Sequence, residues 1–431
     1  MCLQIRARFR IRHIPCRVCT CRWPAFWRGI DRTLPAGFGL VVALGTTLLV
    51  ARLNWETVMA SDALMTAVRV GRIFYAWAMI VALLGLVHAW TSFVLVGRLL
   101  PANRIAQLGA AAFTLFLPVH LYSAGFIGNE YLCAVLSSVS LLALLSLLDR
   151  PTLARAALLG LCLGAAMLTK FTGLVVVTGA FATLGLRTLV RRDWSSGIRV
   201  MAVSGVVMLL VCGWFYGRNI AIYGTPFQMS RETFVLSRYE NIQTKGRRTI
   251  WEYVLFDPVI LRRPQWPRGV PLVQETPIPY EYSAARESVL TGLYANTWFD
   301  GYGGWVLPAV YQSEVVRRSG QALLTLGLIP SLLVLVGLVV AIRRLWREGW
   351  NDTLVVALTT FGAMMAVVVQ GTSSVATHAA VKATYLLPVS AIFGFWFAIG
   401  LDWIGRRHAR WLRPVIASCV VVAAISSTVF F

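Results

Sequence analysis

The 431-residue chain has a formal net charge of +22, yet only 13% of its residues are charged and 58% are hydrophobic. Soluble domains carry about 25% charged residues, so a large soluble core is excluded. Nucleic acid is excluded as a partner too, because the arginines lie in short segments between long apolar runs, where they fix orientation in a bilayer.

Residues 1–33 form a basic tail, expected in the cytoplasm and without fixed structure. Cys16, Cys19 and Cys21 make a C-x-x-C-x-C run, with Cys2 ahead of it, but no His or second Cys pair follows at zinc-site spacing, so no metal is assigned. Trp23, Trp27, Arg28 and Arg32 interrupt the apolar core that a signal peptide would need. Cys133, Cys162, Cys212 and Cys419 fall inside apolar runs and read as small core residues.

A membrane crossing needs about 20 mainly apolar residues. Backbone in hydrocarbon must satisfy its own hydrogen bonds, so these runs are helices; barrel strands would be about half as long and would alternate. The first run, 34–53, leads out to a short loop around 54–68. The second, 70–97, returns to Arg98 and Arg104. The third, 106–125, leads out to Gly128-Asn129-Glu130, and the fourth, 131–148, returns to Asp149, Arg150 and Arg155. A hairpin goes out along 156–169, turns near Lys170 and comes back over 172–187 to Arg187, Arg191, Arg192 and Arg199. The seventh, 199–217, ends outside at Arg218-Asn219. Four more runs, 320–342, 353–370, 383–402 and 412–430, are joined inside by Arg343, Arg344 and Arg347 and by Arg406, Arg407, Arg410 and Arg413. This assignment puts four arginine clusters on one side.

The expected fold class is all-α: an integral-membrane, polytopic bundle of about 10–11 helices with one large non-cytoplasmic loop. It divides into the tail (1–33), an N-terminal bundle (34–219), the loop region (220–319) and a C-terminal group of helices (320–431). The expected location is the bacterial inner (plasma) membrane. The loop region mixes eleven Arg/Lys with nine Asp/Glu, so it is no polybasic arm, and long loops cross membranes largely regardless of charge. Its prolines, among them Pro264, Pro267, Pro271, Pro277 and Pro279, mark irregular backbone, and its aromatics suit an ordered lid or interfacial belt. Gly301-Tyr302-Gly303-Gly304 is a turn signal and not a nucleotide loop.

Candidate chemistry lies at the outer helix ends, because a charge in hydrocarbon costs about 2.5–3.5 kcal/mol on insertion scales and so faces a partner, water or function. Glu130, with Asn129, opens the fourth helix, as an acid favouring the helix dipole or as a group aimed at a polar substrate. Lys170 is either a snorkelling interfacial lysine or a point charge for phosphate. Arg218 and Asn219 close the seventh helix, where the guanidinium suits either carbonyl capping or phosphate. His378, Lys382 and Tyr385 enter the tenth helix on one face, a trio that a wet interface explains nearly as well. No Walker loop, His-x-x-x-His zinc pair or G-x-S-x-G elbow occurs.

Four segments, in order, resemble the C-type (GT-C) multi-spanning glycosyltransferases that use polyprenyl-phosphate sugars, related to the protein mannosyltransferase and aminoarabinose transferase group. They are Pro118 to Glu130 (PVHLYSAGFIGNE), Gly160 to Thr172 (GLCLGAAMLTKFT), Gly213 to Phe227 (GWFYGRNIAIYGTPF) and Lys382 to Pro388 (KATYLLP), which has Ala-Thr ahead of Tyr385 where the family commonly has Arg. The resemblance spans about 65–400. It implies sugar transfer from a polyprenyl-phosphate donor to a lipid, glycan or protein acceptor on the outer face of the membrane. Phosphate would sit near Lys170, Arg218 and Lys382, and a carboxylate would serve as general base or orient the acceptor. The family's acid normally stands in the first outer loop; here that loop offers Glu56 and Asp62, so these join Glu130 as catalytic candidates. The basic tail stands where the family has a first helix and acidic loop, so the N-terminus is read as atypical or truncated. No cofactor is assigned, with a divalent cation left open. A transporter or flippase for a lipid or solute, a polysaccharide polymerase or ligase, and a catalytically inactive relative are the competing readings.

Overall fold

The computed structural model describes residues 63–125, 129–227, 248–262, 288–299, 313–374 and 381–430. Among these residues every regular element is helical. Among the described residues eight helices are long and apolar enough to cross a membrane, or up to nine if a bent pair is one span. The chain is a multi-pass integral membrane protein. The expected crossing at 34–53 and the acids Glu56 and Asp62 lie outside the described residues, as do His378 and the glycine turn at 301–304.

Helix α1 (Ala63–Leu99) ends with Arg98 in its last turn. Asn103 then starts α2 (Arg104–Phe116), its side chain accepting the Ala106 N–H at 3.0 Å. The third crossing, expected as one helix, is bent by 45° between α2 and α3 (Pro118–Gly125). The cause is in the sequence: Pro118 bars Leu117 from the helical region, and Leu117 is extended (φ −62°, ψ 123°). Proline at the first helical position of α3 loses no hydrogen bond.

The next four helices are α4 (Glu130–Asp149), α5 (Leu153–Thr169), α6 (Leu174–Arg191, preceded by a 3-10 turn at Phe171–Gly173) and α7 (Trp194–Tyr223). α5 has 17 residues and is not one of the eight long helices; at about 1.5 Å each they reach roughly 25 Å, short of the ~30 Å of hydrocarbon. α7 runs six residues beyond the expected end at 217, because Arg218 and Asn219 do not stop a helix. Gly224 does: at φ 73° it takes the left-handed conformation that closes the helix, its N–H bonding the Ile220 carbonyl.

In the loop region, a turn at Trp251–Val254, a 3-10 turn at Pro258–Leu261 and α8 (Val289–Trp298) pack onto the bundle. Ile260, Trp298 and Phe299 are buried with Leu117, Leu323 and Leu387. The chain then continues through α9 (Glu314–Leu326), α10 (Leu328–Glu348), α11 (Asp352–Ser374), α12 (Ser390–Arg407) and α13 (Ala409–Phe430). α12 is entered by a 3-10 helix, Ala383–Val389, and Lys382 ahead of it is extended (φ −119°, ψ 126°). Lys382 thus precedes the helix it was expected to enter, and its relation to His378 lies outside the described residues.

The two ends of the bundle differ chemically. At the arginine-rich end Arg98 pairs with Asp149 at 2.7 Å, Arg187 and Arg191 share Asp352, and Asn103 donates to Asp402 at 2.6 Å. These bonds tie α1 to α4, α6 to α11 and α2 to α12 at the level where positive-inside loops belong. With both ends so ordered, a thiol reagent that cannot cross a membrane is expected to label Thr225→Cys in intact cells, in a chain otherwise freed of cysteine. Arg410→Cys is expected to react only after permeabilisation; equal labelling of both in intact cells would contradict the topology.

Candidate functional site

At the opposite end, the N-terminus of α4 stands beside the C-terminus of α5. Asn129 does not cap its own helix; its amide donates to the Thr169 carbonyl at 2.8 Å, satisfying an orphan acceptor of α5. Lys170 follows in extended conformation (φ −160°, ψ 142°), its N–H still bonded to the Ala166 carbonyl. From there its ammonium reaches the Glu130 carboxylate at 2.5 Å. Each charge also complements its own helix: the acid at a positive N-terminus, the lysine at a negative C-terminus. The side chains are only 15% (Lys170) and 25% (Glu130) exposed, so the lysine is paired and does not snorkel freely to water.

The 3-10 helix before α12 packs against α4 and brings two more polar groups. Lys382, exposed and without an ion-pair partner among the described residues, and half-buried Tyr385 both lie within electrostatic reach of Glu130. Beneath the pair, Cys133 and Thr172 are buried and face each other at 3.7 Å. An aromatic wall flanks the pair: Phe171 and Tyr216 both touch Phe227, with centroids at 6.2 and 5.6 Å. The Tyr216 hydroxyl donates to the Met167 carbonyl at 2.7 Å, fastening α7 to the end of α5.

No family model, curated protein or solved structure matches the chain.

Five of the residues singled out from sequence converge here: Asn129, Glu130, Lys170, Lys382 and Tyr385. Arg218 and Asn219 lie at the same end without touching the Glu130–Lys170 pair. Asn219 is buried and donates to the Pro226 carbonyl at 3.2 Å, a structural role in the turn after α7. Arg218 is exposed and caps no carbonyl; it makes no hydrogen bond or ion pair among the described residues. No group of three or more His, Cys, Asp and Glu suited to a metal ion occurs among the described residues.

Sequence reasoning missed a buried histidine pair. His88 of α1 and His120 of α3 stack with centroids 5.0 Å apart, and Tyr131 of α4 meets both rings edge-on. His88 Nε2 lies 3.1 Å from Ser390 Oγ, and Ser92 bonds Thr114 at 3.0 Å alongside. The signal was there, in two imidazoles placed inside apolar runs. It missed as well the anchor of the loop region: Tyr122 donates to the Asn296 carbonyl at 2.6 Å, and the Asn296 amide donates to the Val381 carbonyl at 3.1 Å. That second bond holds the residue preceding Lys382, and with it the site's entrance.

Proposed function

We propose that this chain is a membrane glycosyltransferase of GT-C type. It takes a sugar from a polyprenyl-phosphate donor and passes it to an acceptor hydroxyl at the arginine-poor face of the bilayer. One observation carries the reading. Glu130 and Lys170, drawn from distant parts of the chain, are paired at one end of the bundle beside an aromatic wall, with Lys382 of a third part within electrostatic reach. A lipid-linked phosphosugar presents the matching chemistry at that depth, with its apolar tail in the bilayer, its phosphate at the boundary and its sugar ring beyond.

The paired lysine suggests how the step proceeds. Arrival of the donor phosphate offers Lys170 a second anion, and movement of the ammonium toward it frees the Glu130 carboxylate. The carboxylate then takes the acceptor's hydroxyl proton while the acceptor oxygen bonds to the sugar's first carbon. The bond from that carbon to the phosphate oxygen breaks, inverting the centre, and polyprenyl phosphate leaves with its electron pair. Lys382 and Arg218 hold the charge that develops on the leaving group. The described part of the loop region is tied to this end through Asn296.

Arg218 provides the cleanest test, because its exposed side chain can be removed without opening a packed interface. Arg218→Ala is expected to weaken polyprenyl-phosphate binding by roughly tenfold to a hundredfold, the range set by ~1.5–3 kcal/mol for a hydrogen bond to a charged group. Thermal stability without ligand should stay unchanged. Unaltered binding would remove Arg218 from the phosphate site. The His88–His120 pair favours a second reading, solute or ion translocation through the bundle. Under that reading His120→Ala would abolish flux in proteoliposomes and leave polyprenyl-phosphate binding intact.

A further inference from the structure

A second feature lies at the opposite, arginine-rich end and is independent of the transferase site. A cavity of about 330 Å³ opens between α6, α10 and α11, lined by Leu186, Leu345, Trp350, Val355 and Leu358. Its walls are carbon. The one hydroxyl facing it, of Thr359, is already engaged with Thr183 Oγ1 at 2.7 Å and with the Val355 carbonyl at 2.9 Å. The interior therefore offers nothing to a polar guest and suits a hydrocarbon chain.

Charged residues adjoin this lining, next to Leu186 in sequence and through the Trp350–Asp352 hydrogen bond, and we take them as the cavity's rim. Arg187 and Arg191 stand on α6 one turn apart and both face the single carboxylate of Asp352, at 3.6 and 3.8 Å. Those separations exceed the ~2.7–2.9 Å of a charge-assisted hydrogen bond. Two guanidiniums against one carboxylate leave a net positive charge with free donors. Asp352 is further engaged by Trp350, whose indole N–H donates to it at 2.6 Å. Arg191 is 51% exposed and so open to the membrane surface, whereas Arg344 nearby is taken by Glu348 at 2.7 Å.

We propose that this cavity and its rim bind an anionic phospholipid of the leaflet at the arginine-rich end. One acyl chain lies along Leu186, Leu345 and Leu358, and the phosphate sits at Arg191 and Arg187. Charge complementarity selects this occupant. A zwitterionic lipid would leave the rim charge unanswered, and a free phosphate would leave the apolar cavity unfilled. The chain's own basic tail carries the wrong sign for the rim. Clusters of basic side chains between transmembrane helices at this level are suited to anionic headgroups.

Native mass spectrometry of the full chain, released from nanodiscs of equal phosphatidylglycerol and phosphatidylcholine, tests this. The wild-type chain is expected to retain phosphatidylglycerol preferentially. Arg191→Gln should cut that retention about fivefold, the fold-change equivalent to about 1 kcal/mol per basic residue at an anionic surface. Leu186→Trp, at a half-exposed position of the cavity mouth, should abolish retention with the rim charges intact. Asp352→Asn should raise it by releasing both guanidiniums. Equal retention of the two lipids by the wild-type chain would overturn the proposal. So would unchanged retention in both Arg191→Gln and Leu186→Trp. If Arg191→Gln does not fold, Leu186→Trp decides alone.

Discussion

Glu130→Gln is expected to lower sugar transfer by at least about 100-fold, the lower bound of what a positioned acid–base group contributes. The bundle should remain folded. The carboxylate and the Lys170 ammonium are 2.5 Å apart and mostly shielded, so the substitution leaves a lysine without its counter-charge. Its stability cost lies between the ~0–1 kcal/mol of an exposed pair and the ~3–5 kcal/mol of breaking a buried one. Lost activity alone would therefore not separate chemistry from support. The reversed pair, Glu130→Lys with Lys170→Glu, does. It keeps opposite charges in contact while moving the acid to α5 and reversing both helix-terminus complements, each worth about 0.3–1 kcal/mol. The reversed protein should be folded and inactive. Transfer at near wild-type rate in the reversed protein would mean that the pair only fastens α4 to α5.

Gly337→Val is expected to give the largest loss of folded protein of any single substitution considered for this chain. α10 and α12 cross so closely that a Cβ on Gly337 would fall on the Trp396 carbonyl oxygen. Reciprocally, one on Gly400 would fall on the Leu333 carbonyl oxygen. Small residues at such crossings let backbones approach in membranes, where dispersion drives association and the hydrophobic effect does not. Both obstructing atoms are backbone, which cannot swing aside as a side chain does. The cost should exceed the ~1–3 kcal/mol typical of overpacking. Trp396, fully buried against Phe395, would be displaced with it. Gly217→Ala is the control: nothing lies within 4 Å of a Cβ there, and its melting temperature in detergent should match wild type. A Gly337→Val protein that melts and elutes like wild type would refute the close crossing.

The helices were legible because apolar length between arginine clusters is set by bilayer thickness, which acts locally along the sequence. The expected 131–148 and 353–370 became Glu130–Asp149 and Asp352–Ser374. At two of the shifted boundaries a single residue accounts for the shift. Pro118 bends the third crossing at Leu117, and Gly224 ends α7 where Arg218-Asn219 was expected to. The site was legible only residue by residue. Glu130, Lys170 and Lys382 each stood out as charge at a helix end, but the bond between Glu130 and Lys170 depends on how tightly α4 and α5 pack side by side. No periodicity encodes that. The same holds for His88 and His120, which stack across α1 and α3 beyond the bend at Pro118. The Asn296–Val381 bond joins residues 85 apart and was beyond any local signal.

The transferase reading is tested most directly by incubating the purified chain with a radiolabelled polyprenyl-phosphate sugar and a mixed acceptor fraction of lipids, glycans and proteins. The account predicts label released from the polyprenyl carrier and recovered on acceptor by the wild-type chain, with none from Glu130→Gln. Label left entirely on the carrier by a folded wild-type chain, or equal transfer by Glu130→Gln, would contradict it.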